Sequence, residues 1–141
     1  MDKQTQRRGQ GTAGKHLALQ AASYIREHSE QKFSLSEIAG ALFVNSNYLA
    51  RVFKHETGCT LLWYHNAIRC ENAKKMLIET KLSVAEIGFS VGYISPAHFS
   101  HQFKKMAGVS PSDWRSKEAC KIAHDTSEET VSMIRRQLES H

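Results

Sequence analysis

Two stretches of this chain, about fifty residues apart, carry one pattern. Residues 34–58 read SLSEIAGALFVNSNYLARVFKHETG and residues 83–108 read SVAEIGFSVGYISPAHFSHQFKKMAG. Ser34 and Glu37 match Ser83 and Glu86, and Phe53-Lys54 and Gly58 match Phe103-Lys104 and Gly108. The offset is 49 residues at Leu42/Val91 and 50 at Leu49/Phe99, so the second copy holds one extra residue in its middle. A repeat of this length is the mark of one supersecondary unit used twice, which restricts the fold to architectures with two like halves.

The residues define the unit. Ser34-x-x-Glu37 and Ser83-x-x-Glu86 read as capping boxes, in which the serine accepts a backbone N–H three residues on and the glutamate returns the bond. Each opens a short helix, over about 35–42 and 84–91. A brief turn and a longer helix follow, over about 46–57 and 96–107, stopped by Gly58 and Gly108. Pro96 takes the favoured first-turn place. Ala39 and Gly88 stand mid-way along the short helices, where the longer helix crosses closely. Ile38, Leu42, Leu49, Val52 and Phe53 supply one core, and Ile87, Val91, Phe99 and Phe103 the other. Gly92 lies in the second turn, where a positive φ is often needed. The first turn has Phe43 instead, which predicts a different conformation there.

Around the copies, residues 1–15 are polar, Gly-rich and non-periodic, and read as a disordered arm or linker. Leu17, Ala21, Tyr24, Ile25 and His28 fall at helical spacing. A helix of about 20 residues, Thr60 to Glu79, joins the copies, with Leu61, Tyr64, Ile68, Ala73, Met76 and Leu77 as its buried stripe. Ser110-Pro111-Ser112-Asp113 starts a short helix containing Trp114. A last helix is expected from about Ser127 to Glu139, with Val131, Ile134 and Leu138 on one face, packed against the domain or partly frayed, a dimer contact being the lesser reading. No run of alternating β-branched residues occurs, so the chain is all-α. The expected division is an arm at 1–15, a first helix-turn-helix subdomain at 16–59, a linker helix at 60–80, a second subdomain at 81–118 and a C-terminal helical extension at 119–141.

Composition narrows the class further. Apolar residues make up 40% of the 141, enough for a packed core without staples. No stretch approaches the roughly 18–20 apolar residues of a membrane span, and the N-terminus has no apolar signal region. The three cysteines, Cys59, Cys70 and Cys120, are an odd number without CxxC spacing, which reads as reduced thiols in a cytoplasm. The net charge of +5 favours polyanionic partners only weakly.

Short helix, tight turn and longer helix is the geometry of the DNA-binding helix-turn-helix. With the core positions buried, Ser46, Asn47, Ala50 and Arg51 in the first copy and Ser95, Ala97, His98 and His101 in the second are expected to face base edges. Lys54, Lys104 and Lys105 are expected to meet phosphates. A linker of about 20 residues spans roughly 30 Å, against about 34 Å for one turn of B-DNA. One polypeptide can then set two recognition helices into adjacent major-groove segments of double-stranded DNA. Since the copies differ, the expected site is asymmetric.

Competing signals are weaker. Gly9-x-Gly11-x-x-Gly14 spells a dinucleotide fingerprint and Gly9-x4-Gly14-Lys15 nearly a phosphate loop, but neither follows a strand, and His16 stands where the loop requires Ser or Thr. His98-x-x-His101 has one-turn spacing without an obvious completing ligand, so no metal is expected. No acid–base or nucleophile constellation points to an enzyme, and no cofactor is implied. The alternative reading is a helical protein-interaction module that has lost DNA binding.

Leu17 to Arg115, about 70% of the chain, resembles the AraC/XylS family of bacterial transcription regulators. The specific part is Ile87, Val91-Gly92-Tyr93, Phe99-Ser100, Phe103-Lys104-Lys105, Gly108, Ser110-Pro111 and Trp114-Arg115. Arg69, Ala73 and Leu77 match the family's linker helix. The resemblance implies a seven-helix, bilobal domain that reads promoter DNA as a monomeric unit and usually activates transcription by contacting RNA polymerase. Dimerisation is then expected only through a further domain or the C-terminal helix. His101 stands where the family often has arginine, Trp114 where tyrosine is usual, Cys70 where leucine is common and Phe43 where a small turn residue is common. Most members carry an effector-binding or dimerisation domain ahead of this one. The chain is thus expected to be a stand-alone member or a piece of a longer regulator, and QRRGQGTAGK would suit an interdomain linker.

Overall fold

A computed structural model describes residues 3–116 and 134–138, with side chains from residue 13 onward. Its elements are α1 (Lys3–Glu27), α2 (Leu35–Ala41), α3 (Ser46–Thr57), α4 (Leu61–Glu79), α5 (Val84–Ser90), α6 (Pro96–Ala107) and α7 (Pro111–Arg115). Residues 134–138 form a further helical turn, and no strand occurs among the described residues.

These helices make two lobes with separate cores. The first gathers Leu17, Ala21 and Ile25 of α1, Ile38 of α2, Leu49 and Phe53 of α3, and Leu61, Tyr64 and Ile68 of α4. The second gathers Cys70, Ala73 and Leu77 of α4 with Ile87, Val91, Phe99, Phe103, Ala107 and Trp114. The linker helix therefore belongs to both lobes, its N-terminal half to one and its C-terminal half to the other. Its buried face is broader than the apolar stripe: His65, Arg69, Cys70 and Lys74 are buried as well, while Met76 is half-buried. Lys74 is accommodated by Glu71 at 3.2 Å and by the Trp114 ring, whose centroid lies 4.6 Å from Nζ.

The duplication is longer than the sequence match. Thr60 caps α4 by accepting the Trp63 N–H at 3.0 Å, and Ser110 caps α7 by accepting the Asp113 N–H at 3.1 Å. Tyr64 and Trp114 then hold equivalent places, both fully buried. Their rings meet Phe53 at 5.9 Å and Phe103 at 6.1 Å. The start of α4 closes the first lobe as α7 closes the second, and the end of α4 opens the second lobe as α1 opens the first.

Three expectations need correction. The arm expected over 1–15 is helical from Lys3. It carries no proline, and each residue added to an established helix gains a bond without a new nucleation cost, which offsets the roughly 1 kcal/mol that each glycine costs. Only one of the two capping boxes closes. Ser83 and Glu86 exchange both bonds, at 3.0 and 3.1 Å, whereas Ser34 accepts the Glu37 N–H at 3.2 Å without a returned bond. Ser34 stands at φ −145 and Ser83 at φ −67, a rotation that re-aims the cap's own N–H. The two turns, expected to differ, are alike. Phe43 takes φ +58, and the bonds Phe43 N–H to Gly40 O and Val44 N–H to Ala39 O repeat as Gly92 N–H to Phe89 O and Tyr93 N–H to Gly88 O. Phe43 tolerates the left-handed region, at about 1–2 kcal/mol, because its side chain is 93% exposed. The stripe Val131/Ile134/Leu138 is described only in part: Ile134 and Leu138 pack into the first core, and Val131 lies outside the described residues.

The extra residue of the second copy is Ile94, between Tyr93 and the cap Ser95, where the first copy passes directly from Val44 to the cap Asn45. It is 91% exposed, so the insertion is absorbed in the turn. The small residue at the second crossing is a steric requirement. A Cβ on Gly88 would lie 2.8 Å from Phe99 Cδ2 and 3.0 Å from Phe99 Cβ. The first lobe pairs Ala39 with the smaller Leu49 at the same places. Gly88→Ala is expected to destabilise by about 1–3 kcal/mol, and by clearly less in a Phe99→Leu background. Denaturant unfolding of the double-mutant cycle checks this, and simple additivity of the two changes would contradict it.

Candidate nucleic-acid interface

The faces of α3 and α6 that do not enter the cores carry the candidate DNA-reading side chains. Each helix is anchored at its first turn by a cap. Asn45 Oδ1 accepts the Asn47 and Tyr48 N–H groups at 2.8 and 3.1 Å, and Ser95 Oγ accepts the His98 N–H at 3.3 Å. Each ends at a left-handed glycine whose N–H reaches the carbonyl of Lys54 or Lys104 at 2.8 Å. Buried Leu49 and Phe53, and Phe99 and Phe103, fix the rotation of each helix about its axis.

That rotation exposes Asn47, Arg51 and Lys54 on α3, and Ala97, His98, His101, Lys104 and Lys105 on α6. Ser46 and Ala50 are half-buried. Ser95 is exposed, but its side chain is the N-cap of α6, so its acceptor bond is spent on the helix. Along α6 there is no acidic residue, and along α3 only Glu56. The cationic groups therefore face solvent with little opposing charge on their own helices.

Superposing the caps shows what pattern reading missed. Asn45 and Ser95 align, so Tyr48 is the counterpart of His98, Arg51 of His101 and His55 of Lys105. Tyr48 is half-buried against the first core, and the Arg51 guanidinium lies 5.8 Å from its ring centroid. Tyr48 falls in neither the expected core nor the expected base-facing set; the cap register sets it opposite His98. His98 packs edge-on against Tyr93, with centroids 5.3 Å apart.

The glycines of the nucleotide-loop pattern stand within continuous helix α1. No group of three or more His, Cys, Asp or Glu side chains stands within reach of one metal ion among the described residues. Burial pushes the Cys70 thiol up to about 12 and raises that of Cys59, so neither is a ready thiolate. Cys120 lies outside the described residues. No described helix is long and apolar enough to cross a membrane.

Two helix-turn-helix units sharing a connecting helix define the class of protein, and comparison with known proteins gives the family. A family model described as a helix-turn-helix domain matches residues 38–117. The arabinose operon regulatory protein of Escherichia coli is 30% identical over 98 residues, 69% of this chain and 34% of that protein. The Bacillus subtilis HTH-type transcriptional regulator YisR is 32% identical over 104 residues, 74% of this chain and 36% of that protein. Among solved structures, the C-terminal domain of AraT, a response regulator from Geobacillus stearothermophilus, aligns with a TM-score of 0.68 at 37% identity, covering 70% of this chain and 83% of that one. The DNA-binding domain of AdpA, solved with a target DNA, shares the fold with a TM-score of 0.67 at 22% identity, covering 74% of this chain and 94% of that one. This chain belongs to the AraC/XylS family of transcription regulators and comprises its DNA-binding domain. It spans about a third of the length of the arabinose and YisR regulators.

Proposed function

We propose that this chain binds an asymmetric promoter site as a single polypeptide, with α3 and α6 in adjacent major-groove segments. The observation that carries the reading is the doubled cap–turn–helix unit on one shared helix. The two reading faces are built alike and furnished differently. Asn47 and Arg51, with half-buried Ser46 and Ala50, face one half-site, and Ala97, His98 and His101 the other. Lys54, Lys104 and Lys105 meet phosphates. The 19 residues of α4 make a spacer of about 28 Å at 1.5 Å per residue, close to one turn of B-DNA. The domain acts as a monomeric DNA-binding unit in the cytoplasm and works as an activator through RNA polymerase.

Arg51 is the strongest base reader on either face, since a guanidinium can pair bidentately with a guanine edge. Arg51→Ala is expected to weaken binding to a site selected from random DNA by about 1–3 kcal/mol and to relax preference at one base position. His101→Ala is expected to cost less. Mobility shift on the selected site and its single-base variants measures both. Footprinting should protect about two turns without two-fold symmetry. The interaction-module alternative is favoured if no DNA affinity appears at low salt, or if affinity shows no steep fall with ionic strength.

A further inference from the structure

The two cores share no residue, and the helix common to both passes from one to the other at a single charged side chain. Ile68 is the last α4 residue of the first core and Cys70 the first of the second. Between them stands Arg69, 7% exposed. Its guanidinium turns toward the first lobe's loop after α1: Nε donates to Ser29 O at 2.7 Å and Nη2 to Gln31 O at 2.8 Å. Asn72 Nδ2 holds the same loop by donating to Ser29 Oγ at 3.3 Å. The other side of the guanidinium faces the second lobe, 4.9 Å from the centroid of the Tyr93 ring.

Tyr93 belongs to the turn ahead of α6, and its ring leads directly to the reading helix. It meets His98 at 5.3 Å and Phe99 at 5.5 Å. Gly92, in the same turn, is pressed against both partners: a Cβ there would lie 2.6 Å from Glu30 O and 2.8 Å from Arg69 Nη2. With φ at +114, the position excludes a side chain on conformational grounds also. Loop 29–31, Arg69 and the 92–93 turn are thus a direct contact between lobes, joined to the second core through Tyr93. A planar fork that holds two fixed carbonyls and faces a ring on its other side is pre-organised, which a lysine in its place would not be.

We propose that Arg69 is the positioning residue for two-part DNA reading: it locks the second lobe's turn against the first lobe's loop and so fixes the angle and distance between α3 and α6. The proposal rests on the two-helix reading above. A shared helix sets an approximate separation. The Arg69 contact removes the residual bending and twisting between its halves, so only one spacing of half-sites presents both edges to both helices at once. Two linked reading heads gain affinity from each other only when their geometry permits simultaneous engagement.

The test uses the full chain, a site selected from random DNA, and versions with one base pair added or removed between its halves. Each base pair turns the far half-site by about 34–36°, since a helical turn holds 10–10.5 base pairs. Wild type is expected to lose roughly tenfold or more in affinity on either change. Arg69→Met is expected to bind the original site more weakly, to bind a fragment holding only the first half-site as wild type does, and to show a spacing penalty below about threefold. Gly92→Ala, which wedges the same contact from the opposite side, should show the same relaxation. A wild-type spacing penalty in Arg69→Met with its melt intact overturns the proposal. So does loss of the cooperative melt in Arg69→Met while Arg69→Lys keeps both the melt and the penalty, which would make the residue a core support. If wild type itself is indifferent to spacing, the two-helix reading has failed, and that result is distinct from either outcome.

Discussion

Phe103→Ala is expected to cost the second lobe about 3–5 kcal/mol, the range for a large aromatic removed from a close-packed core, and to leave the first lobe standing. Phe103 is 2% exposed. It lies at the centre of an aromatic file, with Phe99 at 5.8 Å on one side and Trp114 at 6.1 Å on the other. Truncation therefore leaves a cavity with rigid walls, which relaxes little. The two cores have no member in common, so the loss should fall on one lobe and split the unfolding into two steps. The chain contains two tryptophans, with Trp63 packed on the first core and Trp114 in the second. Denaturant titration followed by fluorescence in Trp63→Phe and Trp114→Phe backgrounds separates the two lobes. In footprints, protection over the second half-site should fail first. A single transition, shifted as a whole by both probes, would show that the lobes unfold as one body.

The second large effect is a dependence of stability on pH that centres on His65. The side chain is 4% exposed, packs edge-on against Phe33 at 5.5 Å, and its Nε2 has no hydrogen-bond partner among the described residues. It borders a cavity of about 20 Å³ shared with Tyr24, His28, Lys32 and Glu37. Burial first, and the positive charge of Arg69 second, lower its pKa to about 4. The folded state thus prefers the neutral ring, while the unfolded chain titrates near 6.5. The stabilisation is fully present above about pH 6.5 and is lost as pH falls from there toward 4. At roughly 1.4 kcal/mol per unit, the full effect is about 3 kcal/mol. Urea unfolding of wild type and His65→Phe at pH 7 and pH 4.5 should show the stability difference between them moving toward the variant at the lower pH. A difference that stays constant across that range would rule the mechanism out.

The architecture was legible because its signals are local and come twice. A serine and a glutamate three residues apart, a small residue at a crossing and a glycine at a helix end each carry a mechanism. Their recurrence at one offset leaves few folds that satisfy them all. The exposed faces of α3 and α6 followed once Leu49, Phe53, Phe99 and Phe103 were assigned to the interior. What escaped was set by contacts distant in sequence. Phe43 reads as a residue that would avoid the left-handed region, yet the turn imposes it and solvent leaves room for the ring. Tyr48 fell in neither expected set, and it is the backbone register of the cap that sets it opposite His98. Tyr64 and Trp114 share no residue type, so the longer extent of the duplication shows only in three dimensions. Arg69 stood out in the sequence only through a family likeness. Its partners are main-chain carbonyls 38 and 40 residues away, which no side-chain pattern can announce.

The overlap of the two units at α4 has a consequence for how such a chain can change. In a tandem pair joined by a loop, a residue gained or lost between the units shifts nothing of importance. Here the junction is a continuous helix whose two ends lie in different cores. One inserted residue would advance the second lobe by about 1.5 Å and turn it by about 100° relative to the first. The exposed faces of α3 and α6 would then lose their present relation to each other. Substitutions along α4 can be absorbed one at a time, but its length is held as tightly as the phase of a gear: a change of about seven or eleven residues, near two or three whole turns, would restore the rotation yet shift one lobe along the axis by roughly 10–17 Å.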